Sequence, residues 1–125
     1  ASSVIGEGFI TYSNDAKRKY LGVKKSTLKE YGAVSKQCAK EMVKGLVEAT
    51  AADVGLVTTG IAGPDGGTDE KPVGLVYIGC NVRGKVKVKK YIFEGDRKQI
   101  RESAVTKALE MLRKCLAKAE SNKNE

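Results

Sequence analysis

The sequence has 125 residues, of which 41% are hydrophobic, and this suffices for one modest core but not for several domains. Its net charge of +8 fits an anionic partner without choosing among nucleotides, nucleic acids and membrane surfaces. The absence of a run of about 18 apolar residues argues against a membrane span, and no signal-peptide pattern begins the sequence, so we expect a cytoplasmic protein.

The chain is predicted to begin with a strand and a short helix. Residues 8–12 combine β-branched and aromatic side chains, which is typical of a strand. Ser13, Asn14 and Asp15 are all residue types that favour helix N-caps, and a helix is predicted over residues 15–21 with Gly22 ending it.

Two further helices follow. Thr27 and Glu30 have the spacing of a capping box, so Thr27 is predicted to open one more helical turn, which Gly32 ends. Ser35 is predicted to cap a longer helix with one buried stripe. That stripe consists of Cys38, Ala39, Met42, Val43, Leu46 and Val47.

The second half predicts three strands and a final helix. Residues 54–59 form a short strand that leads into a glycine-rich loop, and residues 73–82 are nearly all apolar, as in a strand buried on both faces. A turn at Arg83 and Gly84 predicts an antiparallel hairpin. A helix over residues 97–119 precedes a frayed polar tail, residues 120–125. Its apolar stripe contains Ile100, Ala104, Ala108, Met111, Leu112, Cys115 and Ala119.

This order of elements predicts one α/β domain over residues 1–119. We expect three layers, α/β/α, with a mixed sheet that includes an antiparallel hairpin. The sequence shows no internal repeat and no interdomain linker. Because Ala1 begins abruptly in what resembles the loop before a strand, with no initiating Met, we expect the domain to lack its N-terminal strand and helix.

The sequence contains no histidine, which limits the chemistry of any site. Imidazole is the usual base near neutral pH and the commonest metal ligand. A Ser-His-Asp triad cannot form within the chain, and we expect no metal site and no cofactor. Cys38, Cys80 and Cys115 are odd in number and lie among apolar neighbours, so they are predicted to be reduced, buried thiols.

The glycine-rich loop over residues 60–67 is the strongest candidate for ligand contact. It holds four glycines, which allow successive backbone N–H groups to converge on an anion. It also follows a predicted strand end, where open α/β sheets bind ligands. A wide connection between two strands explains the loop equally well, and it matches neither common phosphate-binding signature.

Ser13 and Lys17 are four residues apart and would share one helix face. A Ser-Lys pair can act as a hydrolase without histidine when a neutral lysine takes the hydroxyl proton. Ordinary capping by Ser13 or Asn14, with Lys17 in solvent, explains the same spacing and is favoured on spacing alone.

The basic run over residues 85–90 alternates lysine with valine. This alternation is typical of a strand with one solvated face, and edge lysines also discourage unwanted strand pairing. No aromatic stripe interleaves with the charges, as a platform for single-stranded nucleic acid would require.

Five segments of this sequence occur in the same order in one known protein family: GFITYSNDAK (8–17), GAVS (32–35), TGIAGPDGG (59–67), KPVG (71–74) and GDR (95–97). From Ser2 to about Leu116 the chain therefore resembles the CinA C-terminal domain family. Its members are nicotinamide-nucleotide amidases, also called competence/damage-inducible proteins.

The resemblance implies hydrolysis of the carboxamide of nicotinamide mononucleotide to nicotinate mononucleotide and ammonia, in pyridine-nucleotide salvage. It implies a serine nucleophile assisted by three catalytic residues, Lys17, Tyr12 and Thr59. The positions implied to contact the substrate are Asn14, Gly60, Ile61, Ala62, Gly63 and Arg97. It also suggests a homodimer.

The family's nucleophile lies in an E-S-C-T-G-G type motif on a segment that would precede Ala1, and the motif is absent here. The chain alone is therefore expected to be inactive, because the lysine lacks its attacking hydroxyl. A catalytically silent nucleotide-binding or regulatory module is the second interpretation. Nucleic-acid binding is the third, which the pI of about 9.4 permits but no motif supports.

Overall fold

The computed structural model describes residues 6–123. Within this range the chain forms four helices and three strands, in this order: α1 (Asn14–Leu21), α2 (Lys25–Tyr31), α3 (Lys36–Thr50), β1 (Val54–Gly60), β2 (Leu75–Val82), β3 (Lys85–Ile92) and α4 (Arg97–Lys123). None of these described helices combines the length and apolar character that crossing a bilayer would need.

The three strands form one antiparallel sheet in the order β1-β2-β3. Gly79, at the middle of β2, lies opposite Val57 of β1 and Val88 of β3. The predicted hairpin is confirmed, since Arg83 and Gly84 both have positive φ, 52° and 87°, as a tight hairpin turn requires. β2 is buried along nearly its whole length, as its apolar sequence predicts.

Helices cover both faces of the sheet, so the α/β class and the three layers are confirmed. On one face α1 and α3 pack Leu21, Met42 and Val43 against Val57 of β1. On the other face α4 packs against the alternate residues of β2. That second core includes the whole predicted stripe of α4: Ile100, Ala104, Ala108, Met111, Leu112, Cys115 and Ala119.

Two predicted helix caps are present. The hydroxyl oxygen of Ser13 accepts a hydrogen bond from the Ala16 N–H, and that of Ser35 accepts one from the Cys38 N–H. Both bonds satisfy amides that a helix start leaves without an intrahelical partner. The cysteines are free thiols, with Cys38 and Cys80 buried.

The mixed sheet is not found in the described residues, because the predicted strand over residues 8–12 pairs with no other strand. Those residues have no regular secondary structure, and they border a cavity beside β1 without joining the hydrogen-bond ladder of the sheet. The described sheet is therefore antiparallel throughout.

Two local predictions were also wrong. Thr27 does not cap α2 but lies inside it, buried, where its hydroxyl donates to the Glu41 carboxylate. Glu41 also accepts from the Lys24 N–H, so an acidic side chain of α3 replaces the local cap. α4 continues to Lys123, so residues 120–123 of the predicted frayed tail are helical.

Candidate functional site

A cavity of about 600 Å³ lies at the edge of the sheet beside β1. Residues 56–60 of β1 form one wall, and residues 7–12 form another. Side chains of α1 and α3 line one side, and side chains of α4 line the other. These helix residues are Lys17, Leu21, Met42, Leu46, Val105, Ala108 and Leu109.

Lys17 is the one buried cation among the described residues, and its side chain borders this cavity. Its side chain is only 8% exposed, and its Nζ donates to the carbonyl oxygen of Thr11 over 2.6 Å. The Lys17 N–H donates to the Ser13 carbonyl, which closes the first turn of α1. The capping interpretation placed Lys17 in solvent, and this part of it is wrong because the side chain is buried.

Ser13 and Lys17 are not brought together as a pair. The Ser13 hydroxyl is exposed and serves as the helix cap, and Ser13 does not border the cavity. The prediction that Ser13 acts as a helix cap is therefore confirmed. A catalytic pair of Ser13 and Lys17 is not supported.

Thr59 and Tyr12 border the same cavity as Lys17. Thr59 is 6% exposed, and its hydroxyl donates to the carbonyl of Ala33 over 2.8 Å, which ties β1 to the loop before α3. Its oxygen keeps lone pairs that could accept from a ligand. Tyr12, in contrast, is 89% exposed, which leaves its ring at the cavity's edge.

The glycine loop contributes less backbone to the cavity than its composition suggests. The Ile61 N–H donates to the carbonyl of Leu75, and the Ile61 carbonyl accepts from Gly74, so both backbone groups continue the pairing with β2. Gly60 borders the cavity, but a Cβ there would lie 2.8 Å from the Leu75 carbonyl oxygen. Strand packing alone therefore explains glycine at position 60.

Arg97 and Gly63 form a separate pair outside the cavity. Nη1 of Arg97 donates to the Gly63 carbonyl over 3.0 Å, while Asp96 caps α4 by accepting from the Gln99 N–H. Asn14, Ile61 and Ala62 do not border the cavity either. Of the nine predicted site residues, the structure brings four together around the cavity: Lys17, Tyr12, Thr59 and Gly60.

Sequence reasoning missed the groups behind these side chains. The carbonyls of Thr11 and Ala33 hold Lys17 and Thr59, and backbone carbonyls leave no compositional signal. Burial raises the pKa of the Cys38 thiol to about 11, while the nearby Lys17 lowers it, so Cys38 stays a neutral thiol at pH 7. No cluster of three or more possible metal-ligating side chains occurs in the described part of the chain.

Residues 1–116 match the family model described as the CinA C-terminal domain. The chain belongs to this family. The similarity runs from residues 7–12 through most of α4 and thus includes all the residues around the cavity. The CinA C-terminal domain accounts for nearly the whole chain.

The curated relatives of this CinA domain are named as competence-damage inducible proteins. The chain is 58% identical over 113 residues to a Clostridium novyi protein and 56% identical over 112 residues to a Clostridioides difficile protein, both named as competence-damage inducible. Each match covers 90% of this chain and 27% of the relative. The chain thus spans about a quarter of their length.

Solved structures confirm the CinA fold. Competence damage-inducible protein A of Klebsiella pneumoniae superposes with a TM-score of 0.82 at 39% identity, over 86% of this chain and 66% of that one. The competence/damage inducible protein CihA of Agrobacterium tumefaciens gives a TM-score of 0.81 at 46% identity, over 83% and 64%. About a third of each of these chains lies outside the matched region.

Proposed function

We propose that this CinA domain is the Lys17-bearing part of an amidase that hydrolyses the carboxamide of nicotinamide mononucleotide. The single observation that carries the proposal is the placement of the Lys17 amine, buried and held by the Thr11 carbonyl at a cavity that Thr59 also borders. A fixed amine at a cavity is one form of base open to a chain without histidine.

The proposed reaction runs through an acyl-enzyme. A serine hydroxyl from an upstream segment attacks the carboxamide carbon and gives its proton to the neutral Nζ of Lys17. Lys17 then protonates the leaving nitrogen, the C–N bond breaks, and ammonia departs. Water attacks the ester with Lys17 again as base, which releases nicotinate mononucleotide and restores the serine.

The other residues are proposed to serve this reaction. The Thr59 oxygen, fixed by its bond to Ala33, would accept from the carboxamide N–H₂ and orient it. The Tyr12 hydroxyl at the cavity's edge would assist proton transfer. Arg97 bonds the loop with one guanidinium nitrogen and keeps further N–H groups for the substrate phosphate. Contacts from Asn14, Ile61, Ala62 and Gly63 stay predictions, as do a homodimer and a cytoplasmic location.

Ammonia release tests this proposal. The protein to assay is the extended polypeptide, in which the segment preceding the matched region in the Clostridium novyi relative is joined to Ala1. We expect equal amounts of ammonia and nicotinate mononucleotide from nicotinamide mononucleotide. Neither product, from a polypeptide shown to be folded, would contradict the proposal.

A silent nucleotide-binding module is the second candidate function. It is favoured by the fact that Nζ of Lys17 bonds a carbonyl, and that no described hydroxyl donates to it. In that case nicotinamide mononucleotide would raise the Tm of the extended polypeptide without releasing ammonia.

A further inference from the structure

Two of the five segments that carry the family resemblance lie outside the cavity: GAVS (32–35) and KPVG (71–74). The structure brings these two segments together. The Nζ of Lys71 donates to the carbonyl of Tyr31 at the end of α2, and a Cβ on Gly32 would lie 3.0 Å from the same Nζ. The two segments therefore meet at the Lys71 amine, although 40 positions separate Tyr31 from Lys71.

Side chains hold three consecutive carbonyls between α2 and α3. The carbonyls of residues 31–33 accept, in that order, from Lys71, Ser35 and Thr59. The bonds from Ser35 and Thr59 measure 2.9 and 2.8 Å. Because Ser35 belongs to the same loop, its bond shapes the loop without fastening it to another element. Among the described residues, Lys71 and Thr59 are thus the two donors that fasten residues 31–33 to the sheet and to the connection between β1 and β2.

The backbone of Lys71 is itself anchored. The Lys71 N–H donates to the Thr68 hydroxyl over 3.0 Å, and the Lys71 carbonyl accepts from the Thr68 N–H over 2.8 Å. Two residues later the chain packs on the glycine-rich loop, since a Cβ on Gly63 would lie 2.6 Å from Cγ1 of Val73. The Lys71 amine therefore extends from a fixed backbone, and its bond transmits the position of this connection to residues 31–33.

The Lys71 amine also lies near the base proposed above. Burial raises the pKa of the Cys38 thiol to about 11, the charge of Lys17 lowers it, Glu41 raises it, and the charge of Lys71 lowers it. Both amines are thus close enough to act on one buried sulfur of α3. Lys71 stands beside the site although its side chain does not border the cavity.

We propose that Lys71 is a positioning residue of the site, which acts on the substrate only through Thr59. Its bond to the Tyr31 carbonyl keeps residues 31–33 in place, and with them the carbonyl that accepts from the Thr59 hydroxyl. This inference rests on the proposed function, in which the Thr59 oxygen accepts from the carboxamide. A hydroxyl has one hydrogen, so the bond to Ala33 leaves only lone pairs for the substrate.

Steady-state kinetics of Lys71→Met in the extended polypeptide test this role. We expect kcat for ammonia release to fall about tenfold and KM for nicotinamide mononucleotide to stay within about twofold, because Lys71 orients the reacting group without contacting the substrate. Lys29→Met is the matched control, since it removes an exposed cation from the last turn of α2, and its kcat should stay within about twofold. Equal kcat values in K71M and K29M would overturn the inference.

A double-mutant cycle determines whether Lys71 acts through Thr59. Thr59→Val removes the hydroxyl, so Lys71→Met in that background has no hydroxyl to misplace and should change kcat less than about twofold. The same tenfold loss in both backgrounds would overturn the inference, because Lys71 would then act independently of Thr59. A rise in KM at unchanged kcat would also overturn it, because Lys71 would then contact the substrate itself.

The ¹³C resonance of the Ala33 carbonyl gives a measurement that does not depend on activity. A carbonyl that accepts a hydrogen bond resonates downfield of one that does not. In the 125-residue chain, Lys71→Met should move this resonance upfield, as Thr59→Val does, and Lys29→Met should leave it in place. An unmoved resonance in K71M would overturn the inference.

The inference and the proposed function can fail separately. If the extended polypeptide releases no ammonia, the proposed function fails, and the Ala33 resonance still decides whether Lys71 holds this loop. If Lys71→Met does not fold, Lys71→Gln takes its place in each measurement, because its amide ends one bond short of the Lys71 amine. We expect the same loss of kcat and the same upfield shift in K71Q.

Discussion

The backbone of α3 at Gly45 passes directly against the Leu21 carbonyl at the end of α1. A Cβ on Gly45 would lie 1.6 Å from that carbonyl oxygen, so only glycine allows the two helices to approach this closely. Because α1 carries Lys17, this contact helps to position the helix that bears the amine.

Gly45→Ala should therefore destabilise the fold although alanine favours helix. We expect the free energy of unfolding to fall by about 1–3 kcal/mol, as for overpacked cores, despite a gain of about 1 kcal/mol in helix propensity. Urea unfolding measures it. The adjacent exposed substitution Lys44→Ala is the control and should change stability by less than about 0.5 kcal/mol. Equal stability of the two variants would contradict the close approach.

Thr59→Val should uncouple β1 from the loop before α3. Valine keeps the shape but leaves the Ala33 carbonyl without its donor, which costs about 1–3 kcal/mol when the group is buried. The matched control is Thr58→Val, since Thr58 is exposed and its hydroxyl has no hydrogen bond in the described structure. Thermal unfolding should separate the two variants, and identical Tm values would refute the role of this bond.

Much of the fold could be predicted from the sequence because its signals are local. The caps at Ser13 and Ser35 and the turn at Arg83 and Gly84 depend on residues within a few positions, and the stripe of α4 depends on helical spacing. The predicted cap at Thr27 was wrong because the hydrogen-bond partner of this residue, Glu41, lies on another helix, and no local pattern encodes that contact.

The site was predictable only in part for a similar reason. The catalytic roles of Lys17 and Thr59 came from a family resemblance, whereas their placement depends on hydrogen bonds to the carbonyls of Thr11 and Ala33. The composition of the glycine loop suggested backbone amides free to bind a ligand, but the Ile61 N–H donates to the Leu75 carbonyl. Residues 8–12 have the composition of a strand, yet a strand forms only beside a partner with groups to bond.

Arg97→Met should weaken substrate binding more than turnover in the extended polypeptide. Loss of the guanidinium removes the bond to Gly63 and the proposed phosphate contact, so we expect KM for nicotinamide mononucleotide to rise about tenfold. Lys98→Met, which removes a neighbouring exposed cation, is the control for net charge. An equal rise in KM in both variants would show that Arg97 acts only through its positive charge and not through a specific contact with the phosphate.

Stability should fall at alkaline pH partly through Cys38. Burial raises its pKa from 9.0 to about 11, so the folded state keeps a proton that the unfolded chain releases. This contribution is fully present below pH 9 and is lost as the pH rises toward 11, with a slope of up to about 1.4 kcal/mol per pH unit. Cys38→Ala should therefore show a shallower decline between pH 9 and 11.

Val43→Ala controls for the cavity that Cys38→Ala leaves. It also shortens a buried side chain of α3 but removes no titrating group, so its decline should be parallel to that of the unaltered chain. Urea unfolding at half-unit pH steps gives the slopes. If Cys38→Ala declines in parallel with the unaltered chain, folding does not raise the pKa of the Cys38 thiol.

The most direct measurement of the central claim compares Lys17→Met with Lys19→Met in the extended polypeptide. Lys19 lies on the same helix but is exposed, so its loss changes net charge equally without touching the cavity. Loss of a general base predicts that kcat for ammonia release falls about 10²- to 10⁴-fold in K17M and stays within about twofold in K19M. Equal rates in the two folded variants would show that the buried amine is not the base.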